Sequence, residues 1–144
     1  MTLGSILRLK GSDVAHVALD TTIAAVAELL TQRRIGAAVV CDSAHRLVGV
    51  ISERDIVRNL ARHGGRVLQM TAEQLMTPNP RTAAPSMSVP EAMALMTEGR
   101  FRHLPVMDGG QLVGIVSIGD VVKERISEQD HEVDSLRAYV AGAA

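Results

Sequence analysis

Eleven residues, LVGVISERDIV at positions 47–57, return as LVGIVSIGDVV at 112–122. Each copy is a β-branched apolar run opened by a glycine, then Ser-x-x-Asp, then an apolar helix start, so one strand-to-helix corner occurs twice. The repeat reaches upstream. Residues 22–42 overlie 88–108 at a spacing of 66, and a one-residue gap brings the spacing of the corners to 65. Ile23, Val26, Ala27 and Leu30 recur as Val89, Ala92, Met93 and Met96, which reproduces the i, i+3, i+4, i+7 face of a helix. Leu29, Thr31, Arg34, Val40 and Asp42 are identical to Leu95, Thr97, Arg100, Val106 and Asp108. A helix face and a strand corner repeating together mark an internal duplication. The fold must be built from two like units, each too small to bury a core alone.

Each unit reads helix, strand, hairpin, strand, helix. In the first, Thr22 caps a helix to about Arg34, 37–41 is a strand, 42–46 a turn, 47–51 a strand and 53–63 a helix. In the second, Ser88-x-x-Glu91 forms a capping box with Pro90 in the first turn, and Gly109-Gly110 supplies the hairpin turn. The hairpin strands are almost wholly apolar, which predicts burial on both faces beneath covering helices. The connection, 64–85, holds Gly64-Gly65, a one-turn helix capped by Thr71 and the breaker Pro78-Asn79-Pro80. A last helix is expected from Asp120 to about Ala141, roughly 33 Å long. Val122, Ile126, Val133, Leu136 and Val140 follow along it at 4-then-3 spacing, which reads as a homodimer contact; the alternative is a helix folded back on its own domain.

Composition narrows the function. Hydrophobic residues make up 47% and aromatics 1%, so the core is Ala, Val, Leu, Ile and Met. A net charge of −1 offers no general attraction to nucleic acid or membrane. The Arg54, Arg58, Arg62 row, without aromatic partners, reads as a solvated helix face rather than a nucleic-acid surface. Cys41 stands alone, no stretch approaches a membrane span, and no basic-then-apolar leader opens the chain, so a cytoplasmic protein is expected. His16, His45, His63 and His131 lack ligand spacing, so no metal site is expected. Neither a nucleophile–base pair nor a phosphate loop is present, so no enzyme activity is expected.

The chemistry sits at the duplicated corner. The first amides of the helix beginning near Glu53 lack internal partners and favour an anion. Ser52 adds a hydroxyl and Arg54 a planar cation, while the carboxylate of Asp55 suits a vicinal diol. Phosphate donors beside a diol acceptor fit a ribonucleotide. The same Ser-x-x-Asp is also a capping box that binds nothing, and the residues alone leave both readings open.

The repeat resembles a tandem pair of CBS domains, over about 14–127. The likeness rests on RIGAAVVCD and FRHLPVMD, the paired LVG corners, and LMTPNP between the units; small free-standing bacterial members end in a segment like SIGDVVKERI. It implies an α/β fold of two pseudo-symmetric units, each β-α-β-β-α, with sheets packed together, helices outside and a long C-terminal helix. The implied domains are an N-terminal segment 1–13, units 14–69 and 70–127, and a helical extension 128–144. The implied ligands are AMP, ADP, ATP or NAD(H), with S-adenosylmethionine behind them, held in clefts between the units. The family's ribose acid maps to Asp55 and Asp120, and its phosphate-side hydroxyl to Ser52 and Ser117. First-strand positions map to Gly36, Ala37, Arg102 and His103, and the preceding extended stretches to Ala18 and Thr82. Arg54 becomes Gly119, so the two sites are expected to differ in affinity or ligand. The function implied is a nucleotide sensor that signals by conformational change to an effector protein; the alternative is a structural dimer with vestigial sites.

Overall fold

The computed structural model describes residues 1–11 and 13–143. In chain order its elements are α1 (Leu3–Lys10), β1 (His16–Ala18), α2 (Ile23–Arg33), β2 (Ala37–Cys41), β3 (Leu47–Ser52) and α3 (Glu53–His63). A 3-10 turn (Gly64–Gln69) follows, then α4 (Ala72–Leu75), β4 (Thr77–Pro78), α5 (Val89–Gly99), β5 (His103–Asp108), β6 (Gln111–Ser117) and α6 (Ile118–Ala143). The chain divides into two compact units, one of Asp13–Arg81 with Gly109–Val113, the other of Met1–Ser12, Thr82–Asp108 and Gly114–Ala144.

In the unit of the first repeat, Thr22 is extended and its hydroxyl accepts the Ala25 amide, which starts α2. Arg34 ends α2 in the left-handed region at φ 53°, and the Ile35 amide reaches back to Leu30 O at 3.1 Å, a Schellman ending. The sheet runs β1-β2-β3-β4, with β1 parallel to β2 and the other pairs antiparallel. Val17 pairs with Val40, and Ala37 with Ser52. Ala38, Val40 and Ile51 join Ile23, Val26, Leu30, Val67 and Leu75 in one core, while Ala37 and Val39 are buried on the other face of β2.

The second repeat follows the same physics. Ser88 caps α5 by accepting the Glu91 amide, Arg100 ends it at φ 57°, and the Phe101 amide bonds Met96 O at 3.2 Å. Ala83 bridges Val106 in parallel, the pairing that Val17 makes with Val40 66 residues earlier. β5 and β6 form a two-stranded sheet, and both α5 and α1 pack against α6.

From sequence, 1–13 is expected only as an N-terminal segment, yet Thr2 caps a helix there. That helix packs with the second repeat, as α4, which leads into the second repeat, packs with the first. The docking is the same in both. Leu3 N, Gly4 N and Val89 N donate to Met87 O, Pro85 O and Met1 O at 3.0, 2.9 and 3.1 Å. Ala72 N, Glu73 N and Ile23 N donate to Thr21 O, Leu19 O and Met70 O at 2.8, 3.0 and 2.8 Å. This docking explains the glycine of each LVG corner. A Cβ at Gly114 would come within 2.6 Å of Leu7 methyls, and one at Gly49 would run into the Met76 side chain. The two leading helices differ in length. α4 stops after one turn because Pro78 follows as an edge strand on β3, whereas α1 meets no proline and continues to Lys10.

Helix α6 begins at Ile118, ahead of the expected Asp120, and carries Gly142 within it. Val121 is buried, but every described side chain from 129 to 142 is exposed.

Candidate functional site: two Ser-x-x-Asp corners

In the first corner β3 ends at Ser52, whose extended backbone starts α3. The Glu53 amide donates to Gly36 O at 3.0 Å, tying the helix start to the residue just before β2. Gly36, Ala37 and Ser52 are therefore neighbours. Asp55 Oδ2 accepts the Ser52 amide at 2.9 Å and the Ser52 hydroxyl at 3.0 Å, while the Asp55 amide donates to Ser52 Oγ at 3.3 Å. The capping box is thus formed in full. Two of the helix's first amides are occupied, which among the described residues leaves Arg54 N without a partner and narrows the expected anion site to one backbone donor. Asp55 Oδ1 accepts no hydrogen bond among the described residues.

The second corner repeats this frame. The Ile118 amide donates to Arg102 O at 2.8 Å, Asp120 Oδ2 accepts the Ser117 amide at 2.8 Å, and the Asp120 amide donates to Ser117 Oγ at 3.1 Å. One group is new. Lys10 Nζ donates to Asp120 Oδ2 at 2.5 Å from the last turn of α1, with side chains 36% and 27% exposed. Burial pushes the Asp120 carboxyl up, but the Lys10 and Ser117 donors and the lysine charge together hold it below its ordinary value. Sequence reasoning missed Lys10. The available signal was that Met1-Thr2 and Ile6-Leu7 recur as Met70-Thr71 and Leu75-Met76, at a spacing of 69.

The remaining candidates fall as follows. Arg102, whose carbonyl accepts the Ile118 amide, is exposed, and His103, half-buried, opens β5. Gly119 is exposed on the first turn of α6. Thr82 precedes the Ala83–Val106 bridge. Ala18 pairs with Cys41, four residues along β2 from Ala37, about 13 Å from the corner; the position matching Thr82 is His16. A hollow of about 310 Å³ beside the first corner is lined by Leu30, Thr31, Arg34, Ile35, Gly36 and Glu53. Among the described residues no group of three or more His, Cys, Asp or Glu could hold a metal, and no helix is long and apolar enough to cross a membrane.

The family model of the CBS domain matches the chain twice, at 8–62 and 72–127. The CBS domain-containing protein CBSX3 (mitochondrial) of Arabidopsis thaliana is 33% identical over 98% of this chain and 72% of its own length. The chain spans 25% of several longer Arabidopsis relatives. A CBS-domain containing protein from Agrobacterium tumefaciens superposes with a TM-score of 0.84 and 40% identity, covering 86% of this chain and 92% of that one. A CBS domain protein from Pyrobaculum aerophilum, solved complexed with AMP, matches with a TM-score of 0.75 and 30% identity over 83% of this chain and 89% of that one. The CBS pair of protein MJ0100, solved with 5′-methylthioadenosine and S-adenosylmethionine, matches at 0.77 and 25%, over 89% and 98%. The chain belongs to the CBS-domain family and carries two CBS domains in tandem.

Proposed function

We propose that the chain is a regulatory, non-catalytic module that binds an adenosine ligand at each corner, with the ribose diol on Asp55 or Asp120. One observation carries this reading: each carboxylate spends only Oδ2 on its cap, so Oδ1 is open to a diol while the cap persists. Gly36, Ala37 and the start of β5 flank the base, and Ser52, Ser117, Arg54, Arg102 and His103 serve the phosphates. The relatives solved with AMP and with S-adenosylmethionine support the ligand class. AMP, ADP, ATP and NAD(H) are the ligands to try first. A second copy of the chain is the partner assigned to the exposed row on α6, and ligand-dependent change would pass from there to an effector protein in the cytoplasm.

Thermal melts with adenine and guanine nucleotides, NAD(H) and S-adenosylmethionine test this. A ligand at 100 times its Kd adds about 2.7 kcal/mol, a rise of several degrees for a chain of this size. No shift with any adenosine compound, on protein shown to be ligand-free, rejects the reading. Asp55→Ala and Asp120→Ala should each remove one binding event in calorimetry. The fully formed capping boxes favour one rival, that the acids only cap their helices. In that case both variants melt earlier, by about 1 kcal/mol, with nucleotide binding intact.

A further inference from the structure

We propose that Lys10 selects anionic ligands at the second corner: its ammonium, held beside Asp120 by the Oδ2 ion pair, leaves Oδ1 to the ribose diol and binds the ligand's phosphate. The inference rests on the adenosine-binding reading above and adds to it a residue and a ligand charge.

Packing imposes the position of Lys10. Leu3, Ile6 and Leu7 of α1 are buried, and Leu7 fills the space that Gly114 leaves open. Lys10 stands three residues beyond Leu7 and shares its helix face, so docking α1 delivers the ammonium to Asp120. Among the described residues, no lysine or arginine pairs with Asp55 at the first corner. The position 69 residues after Lys10 is Asn79, whose amide donates to Val48 O. Its cation is instead Arg54, on α3, where the second corner has Gly119. Lys10 and Arg54 thus come from different elements, α1 and α3.

The ligand charge follows from the ammonium's position. A diol on Oδ1 leaves Lys10 in place on Oδ2. A phosphate on the same ligand adds a charge-assisted hydrogen bond to that ammonium. A neutral nucleoside, or a cationic sulfonium nucleoside, adds none.

Isothermal calorimetry in an Asp55→Ala background, where the second corner alone binds, compares AMP with adenosine. Asp55→Ala should prefer AMP, and adding Lys10→Met should cut the AMP-to-adenosine affinity ratio about tenfold, the worth of one charged hydrogen bond. Lys10→Arg should retain most of the ratio, since it keeps the charge. An unchanged ratio in Lys10→Met, or tighter AMP binding, overturns the proposal while leaving nucleotide binding in place. Binding by the parent chain but not by Asp55→Ala overturns it as well. If the parent chain binds no adenosine compound, the functional reading falls with it.

Discussion

Asp120 and Asp55 share a spacing, a cap and a hydroxyl, yet they do not share a charge environment. Burial alone would raise the Asp120 carboxyl, and the Lys10 and Ser117 donors reverse the sign. A carboxyl lowered in the folded state adds stability that is present above the unfolded value, about 3.9, and is lost as pH falls through the folded value. Lys10→Met leaves burial less opposed, so the Asp120 carboxyl should titrate higher and acid unfolding should begin at higher pH. Carboxyl chemical shifts followed through pH would show it; an unmoved midpoint would mean that Lys10 does not govern this acid. Burial also raises the Cys41 thiol, aided by neighbouring Asp42, so it should react slowly with a thiol reagent at neutral pH and speed up on denaturation. Ser52, Asp55, Ser117 and Asp120 were legible because a cap and a diol acceptor need those residue types at that spacing. Lys10 was not, since its partner lies 110 residues away.

At the scale of elements, the repeat extends to the leading helices, and their docking imposes the corner glycines. Gly114→Ala forces a methyl against Leu7 and should lower stability by about 1–3 kcal/mol. The loss should shrink in a Leu7→Ala background, where a double-mutant cycle by urea denaturation reads the coupling directly; additive losses would mean that the two side chains do not meet. Arg34 and Arg100 hold left-handed conformations at the ends of α2 and α5, so Arg34→Gly should gain up to about 1 kcal/mol. The starts of α2 and α5 were readable from Thr22 and Ser88, because capping is a local contest for amides. α1 is not legible in the same way, because its apolar face, Leu3, Ile6 and Leu7, is buried only by docking on the second repeat.

Across the whole molecule, α6 is the part that its own unit does not explain. Its 26 residues reach about 39 Å, and Val133, Leu136, Tyr139 and Val140 are 47%, 63%, 74% and 60% exposed. A helical extension without tertiary contacts is marginal in water, which is the reason to assign it a second copy. Leu136→Asp should turn a dimer into a monomer in light scattering at micromolar concentration, with the units still folded; a monomeric parent chain would refute the assignment. The duplication, the α/β order and the Ser-x-x-Asp corners were determined by sequence, because periodicity, capping and turn chemistry act over a few residues. Which leading helix serves which repeat, and so which carboxylate meets a lysine, was decided by tertiary packing alone. Contacts between distant segments depend on shape and burial, and those exist only once the chain has folded.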